Sequence, residues 1–163
     1  MKKCALLILA LLLLFSSAVC AQAAEYASTQ AFIDWLEASD IPYTYSGVDD
    51  HGFERLSIDN TSDVFSYTLE YLFESNAENS TIRVWDIILY NDSDLNDVLH
   101  TINDLNTTYG FVNVYAMESD NSVNAKIDLI YRTHDVGEIV GEASLRMVAI
   151  VDDVYAALSS YQK

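Results

Sequence analysis

Between residues 65 and 73 a large apolar side chain falls on every second position: Phe65, Tyr67, Leu69, Tyr71 and Phe73. A β-strand sends successive side chains to opposite faces, so this run puts five large groups on one face of a sheet. A sheet with one such face must be covered, and the rest of the chain has to supply both further strands and the cover.

The neighbouring segments supply both. Tyr43 and Tyr45 open an extended stretch, Asp49-Asp50-His51-Gly52 reads as a turn, and Leu56 and Ile58 alternate with polar residues. The nearly continuous apolar run from Ile82 to Tyr90 predicts a strand buried on both faces. Phe111 to Met117 forms a further strand, and Val123, Ala125, Ile127, Leu129 and Tyr131 alternate as its hairpin partner. Three segments keep helical spacing. The first is capped by Ser28 or Thr29, carries Phe32, Trp35 and Leu36, and ends at Pro42. The second is capped by Asp92 or Ser93 and shows one stripe of Leu95, Val98, Leu99, Ile102 and Leu105. The third follows Asp135 and repeats Val140, Ala143, Met147, Ile150, Val151, Val154 and Leu158 on one face. The order α-β-β-β(-β)-α-β-β-α predicts an α+β fold: an antiparallel sheet of about five to six strands with flanking helices.

The chain opens with Lys2 and Lys3, runs apolar from Cys4 through Phe15, and turns small and polar at Ser16 and Ser17. A basic start, an apolar stretch and a small-residue exit are the parts of a secretory leader. Ala21-Gln22-Ala23 supplies the small residues that the peptidase requires, which places cleavage between Ala23 and Ala24. Val19-Cys20-Ala21 is a second candidate site. Residues 1–23 are thus expected to be a signal peptide, 24–163 a single domain, and the mature protein periplasmic or secreted. Both cysteines, Cys4 and Cys20, leave with the leader, so thiolate metal sites and cysteine nucleophiles are not expected.

All 25 acidic residues lie beyond the leader, whereas only six of the eight basic ones do. Nucleic acid and anionic lipid are bound by neutralising phosphate with Lys and Arg, so a chain of formal charge −17 is an unsuitable partner for either. The same acidity suits a solvated, soluble surface, a saline habitat or attraction to a basic partner.

No residue pattern points to catalysis. His51, His100 and His134 are scattered, without ligand spacing. Asp92-Ser93-Asp94 begins like a calcium loop, but Asp97 and Asn103 stand where that loop needs glycine and a bidentate glutamate. Asp152 and Asp153 lie inside the last helix, where Asp152 is expected to bond to a tyrosine or a backbone group. Neither a Gly-rich phosphate loop nor a nucleophile elbow occurs, and no metal or cofactor is expected.

Ile41-Pro42-Tyr43, Asp50-His51-Gly52, Ile102-Asn103-Asp104-Leu105-Asn106 with Tyr109 and Phe111, Asp128-Leu129, and Asp152 with Tyr155 make the chain resemble the YbjN-like family, described as bacterial sensory transduction regulators. The likeness spans about Phe32 to Leu158. It implies a fold similar to type III secretion chaperones, whose members pair as homodimers and hold extended peptide, and it carries no catalytic residue. Two features depart from the family. Val112, Asn113 and Val114 stand where basic residues are expected, and the export leader is incompatible with a cytosolic chaperone role.

Residues and resemblance together lead to the expectation of an exported, non-enzymatic protein-interaction module that binds a protein or peptide, with basic character in the partner or with self-pairing. Tyr67, Tyr71, Phe111 and Tyr115 are its candidate interaction surface, which requires Tyr67 and Tyr71 to be exposed. A small-molecule or cation-binding periplasmic protein is the alternative. A carboxylate-based hydrolase has no specific residue in its support.

Overall fold

The computed structural model describes residues 23–76, 78–132 and 134–163; all of the expected leader but Ala23 lies outside them. Helix α1 (Ala27–Ala38) precedes four strands, β1 (Thr44–Val48), β2 (Phe53–Thr61), β3 (Ser66–Glu74) and β4 (Asn79–Leu89). A short 3-10 turn (Asp92–Asp94) leads into α2 (Leu95–Thr108), followed by β5 (Asn113–Met117), β6 (Ser122–Ile130) and the long α3 (Val136–Leu158). The six strands form one antiparallel sheet in the order β1-β2-β3-β4-β6-β5. The α+β class and the element order match what the periodicities predict.

The three described helices cover the same face. Tyr71, Phe73, Ile82, Val84 and Ala125 on the sheet share one core with Phe32 and Leu36 of α1, Val98 and Ile102 of α2, and Met147 and Val151 of α3. The alternating run of β3 lies in this core, with Tyr71 and Phe73 fully buried. Burying a side chain of that size removes about 1.5–3 kcal/mol of unfavourable exposure, so β3 anchors the fold. Among the described residues, the opposite sheet face carries no helix.

Four local expectations are corrected. Helix α1 starts at Ala27, and Ser28 and Thr29 are buried inside its first turn rather than capping it. The two residues just ahead of it are held by Glu54 of β2, a fully buried carboxylate that accepts from the backbone N–H of Glu25 at 2.6 Å and of Tyr26 at 2.8 Å, and from the Tyr45 hydroxyl. An anion there meets the positive end of the helix dipole. Asp92 and Ser93 belong to the 3-10 turn, and Asp94 takes the cap position of α2 without a side-chain cap bond. Leu99 points to solvent, so the buried stripe of α2 is Val98, Ile102 and Leu105. Finally, Phe111 precedes β5 instead of opening it.

Strand β4 departs most from its reading. Its apolar run does not mean burial on both faces; the run spans a bulge. Val84 pairs with Ala125 and Ile88 with Val123, so three residues of β4 oppose Asn124 alone. Ile87 and Ile88 are both buried, while Trp85 and Asp86 turn outward.

The close packing of α1 on α3 depends on two glycines. The Trp35 side chain lies across Gly137 and Gly141, one helical turn apart, where an added Cβ would sit 2.6 and 2.5 Å from its atoms. Only residues lacking a Cβ let the indole lie that close to the helix.

Candidate functional site

The four expected surface residues separate. Tyr71 is buried under the helices, its hydroxyl donating to Ser144 Oγ at 2.9 Å, and burial pushes its pKa up to about 12. Tyr67 is 7 % exposed and accepts from Asn60 Nδ2 at 2.6 Å, with burial raising its pKa. Both are core residues, and the version of the binding surface that relies on them is overturned: the apolar face of β3 is covered by the chain's own helices. Phe111 is exposed in the turn before β5, with the Arg146 guanidinium 5.4 Å above its ring. Tyr115 is half-buried on the opposite, helix-free face. The structure does not bring the four together.

What sequence reasoning missed is the organisation of that open face. Arg55 on β2 reaches Asp49 Oδ2 through Nε at 2.6 Å and Glu70 Oε1 through a terminal nitrogen at 2.5 Å. Glu70 Oε2 accepts from the Trp85 indole N–H at 2.8 Å. The Arg83 guanidinium sits 5.3 Å from the centre of the Trp85 ring, within cation–π range. Asp49 also accepts from the backbone N–H groups of Phe53 and His51; the Phe53 bond leads, with Arg55 adding to it, and the carboxyl is held down to about 2. One continuous line of ion pairs and hydrogen bonds thus runs from the β1–β2 turn to the centre of the sheet. It borders a shallow depression of about 390 Å³ lined by Ser57, Thr68, Glu70 and Trp85.

The bulge in β4 aims the tryptophan. Asp86 adopts φ +53°, a left-handed conformation that a non-glycine residue takes at a cost of about 1–3 kcal/mol. Its backbone N–H donates to Asn124 Oδ1 at 2.8 Å. Asn124 Nδ2 donates to Ser122 Oγ at 2.9 Å, and Ser122 Oγ to Asp120 Oδ1 at 2.8 Å. Asn124 and Ser122 are fully buried. A buried polar chain therefore fixes a strained bulge, and the bulge leaves Trp85 38 % exposed on a flat face. The one sequence signal was an acid, Asp86, interrupting an apolar run.

Both sheet edges are blunted. The side-chain amide of Asn106 on α2 pairs with the outward backbone of Val114 in β5, donating to its carbonyl at 2.9 Å and accepting from its N–H at 2.8 Å. It fills the place a further strand would take. At the other edge β1 is short and irregular, with Gly47 at φ +77° and a register shift between Tyr45 and Gly47. Addition of a partner strand is thus disfavoured at both ends.

Of the two acids in the last helix, Asp153 accepts from the Tyr109 hydroxyl at 2.5 Å, whereas Asp152 Oδ1 is buried without a hydrogen-bond partner. The tyrosine bond expected of Asp152 belongs to its neighbour. Among the described residues no group of three or more His, Cys, Asp or Glu side chains is placed to hold a metal, and no helix is long and apolar enough to cross a membrane.

Fold and site together define a two-layer α+β domain with one face sealed by helices and the other an organised aromatic and ionic surface. The chain matches no protein-family model and no curated protein sequence. The resemblance to the YbjN-like family is an expectation drawn from the residue blocks alone. Of these, Asn106 has a visible task, sealing the β5 edge, and Asp50-His51-Gly52 forms the turn that presents Asp49 to Arg55.

Proposed function

We propose that the chain is an exported protein-interaction module, and that its contact surface is the helix-free sheet face centred on Trp85. The observation that carries the reading is the strained, buried-amide-supported bulge that presents an indole on an uncovered face. A folded chain that needed Trp85 only for stability would bury it; here about 1–3 kcal/mol of backbone strain is held in place to expose it. Aromatic residues beside arginine are the side chains that dominate binding energy at protein interfaces. The basic and apolar opening of the chain supports an extracytoplasmic site of action, and the YbjN-like resemblance supports a regulatory or adaptor role. Unlike the sequence-based surface, this one lies opposite Tyr67 and Tyr71.

The test is crosslinked capture with tagged protein in its native compartment, read by mass spectrometry, with Trp85→Ala run in parallel. One partner recovered in near-equal amount from the parent and lost from the variant is the expected result. Equal recovery by both forms, or recovery of the chain alone, would overturn the assignment. The shallow depression beside Trp85 supports a second reading, a small polar ligand held by Ser57, Thr68 and Glu70. Thermal stabilisation by such a ligand in the absence of any protein would favour that reading.

A further inference from the structure

We infer that Arg83, Lys126 and Tyr115 form a seat on the open face for a single carboxylate, carried by an aspartate or glutamate side chain of the partner. The inference deepens the proposed function and rests on it.

The sheet register makes the case. Glu70, Arg83, Lys126 and Asn113 lie directly opposite one another across β3, β4, β6 and β5. Arg83 and Lys126 are thus immediate cross-strand neighbours, with Cβ atoms about 4.5–5.5 Å apart. Like charges in that relation are destabilising, and this chain has 25 acids and only 8 bases with which to avoid it. The acids nearest the pair are already engaged. Glu70 serves Arg55 and Trp85, and Asp128 accepts from Lys126 at 2.7 Å and from the Thr81 hydroxyl at 2.9 Å.

Arg83 is left over. Its side chain is only partly exposed, its Nε is buried without an acceptor, and it makes no ion pair among the described residues. Leaving a buried donor without a partner is costly, and an arriving acceptor relieves it. The guanidinium lies within cation–π range of the Trp85 ring, which favours its position over the open face. Tyr115 pairs with Asn124 on β6, two positions from Lys126, which places it diagonally beside Lys126 on the same face of the sheet.

The chemistry narrows the occupant. A guanidinium fork pairs bidentately with a carboxylate, and one free arginine beside a lysine already shared with Asp128 balances one negative charge. A polyanion would meet the field of a chain carrying −17 and be repelled. A terminal carboxylate is captured by free backbone N–H groups, whereas β4 is flanked here by paired strands on both sides. A side-chain carboxylate remains, and the acids around the seat favour basic residues on either side of it in the partner segment.

Residues 24–163 hold the whole described fold, and in that chain, labelled with nitrogen-15, the indole N–H of Trp85 and the Nε–H of Arg83 report directly on the seat. The probes are the blocked tripeptide acetyl-Lys-Glu-Lys-amide, its Lys-Gln-Lys counterpart, and sodium acetate at matched ionic strength. The expected result is a saturable shift of both resonances by the glutamate peptide, at least tenfold weaker for the glutamine peptide and for acetate. Arg83→Gln and, separately, Lys126→Gln should weaken the glutamate peptide by a similar factor while leaving the fold signals intact. Equal response to both peptides overturns the seat without need of any variant. Acetate binding as tightly as the peptide overturns the partner-borne source and assigns the face to small carboxylates. An intact seat combined with a partner whose capture ignores Trp85 overturns the wider surface while keeping the seat.

Discussion

Replacing Glu54 with glutamine tests how the N-terminal segment is attached. The carboxylate is fully buried and accepts three hydrogen bonds: Glu25 N–H and the Tyr45 hydroxyl on Oε1, and Tyr26 N–H on Oε2. Glutamine keeps the volume but offers one acceptor oxygen, so an NH₂ donor must face one of the three donors. One charge-assisted bond is lost outright, worth about 1.5–3 kcal/mol, and the others weaken to neutral strength. The expected loss is about 2–4 kcal/mol against a total stability of roughly 5–15 kcal/mol. For a domain of this size that lowers Tm by on the order of 10 °C. Urea and thermal unfolding at pH 7, followed by tryptophan fluorescence and circular dichroism, measure it. The pH dependence adds a signature. Burial works against the charge of Glu54, but the hydrogen bonds it accepts outweigh burial and hold its pKa below the ordinary 4.5. The carboxylate's contribution is therefore present above that value and lost as pH falls through the lower folded value, so the gap between parent and variant must close in acid. A variant within about 0.5 kcal/mol of the parent at pH 7, the range of an ordinary surface substitution, would refute the reasoning. So would a gap that persists unchanged at low pH.

Asn106→Ala should cost about 1–3 kcal/mol by stranding the Val114 backbone groups, and should expose the β5 edge; concentration-dependent self-association by light scattering is the check. Gly141→Ala forces a Cβ into the Trp35 ring and should destabilise by about 1–3 kcal/mol, with a changed near-ultraviolet spectrum from the displaced indole. Asp49, held down to about 2 mainly by the Phe53 N–H and then by Arg55, supports the fold above its ordinary value and loses that role as pH falls toward 2. Asp49→Asn should accordingly flatten the acid limb of the stability profile, which acid titration followed by circular dichroism will show. Asp86→Gly should relieve the left-handed strain and raise stability by about 1 kcal/mol or slightly less, whereas Asn124→Ala should lower it by removing the acceptor for the Asp86 N–H.

The elements were legible because their signals are local. Period two in β3 and β6 and the one-sided stripe of α3 follow from how each backbone geometry directs side chains, and no distant residue is needed to read them. The same geometry led to error in β4, where a bulge mixes buried and exposed positions and imitates a strand covered on both sides. It also led to error at Tyr67 and Tyr71. An alternating strand declares that one face is apolar, but it cannot say whether that face meets the chain's own helices or a partner.

The site was nearly invisible for a related reason. Arg55, Glu70, Arg83, Trp85 and Lys126 are spread over four strands, and their meeting depends on register, which pairs residues as distant as 83 and 126. Glu54 looked like one more acid among 25 until the fold closed over it at the start of α1. By itself the sequence determined the class of fold, the order of its elements and the acidity of its surface, because propensity, periodicity and charge are properties of short segments. The tertiary structure decided which sheet face is sealed, how the edges are protected and where the indole points, because each depends on contacts between segments that are far apart in the chain.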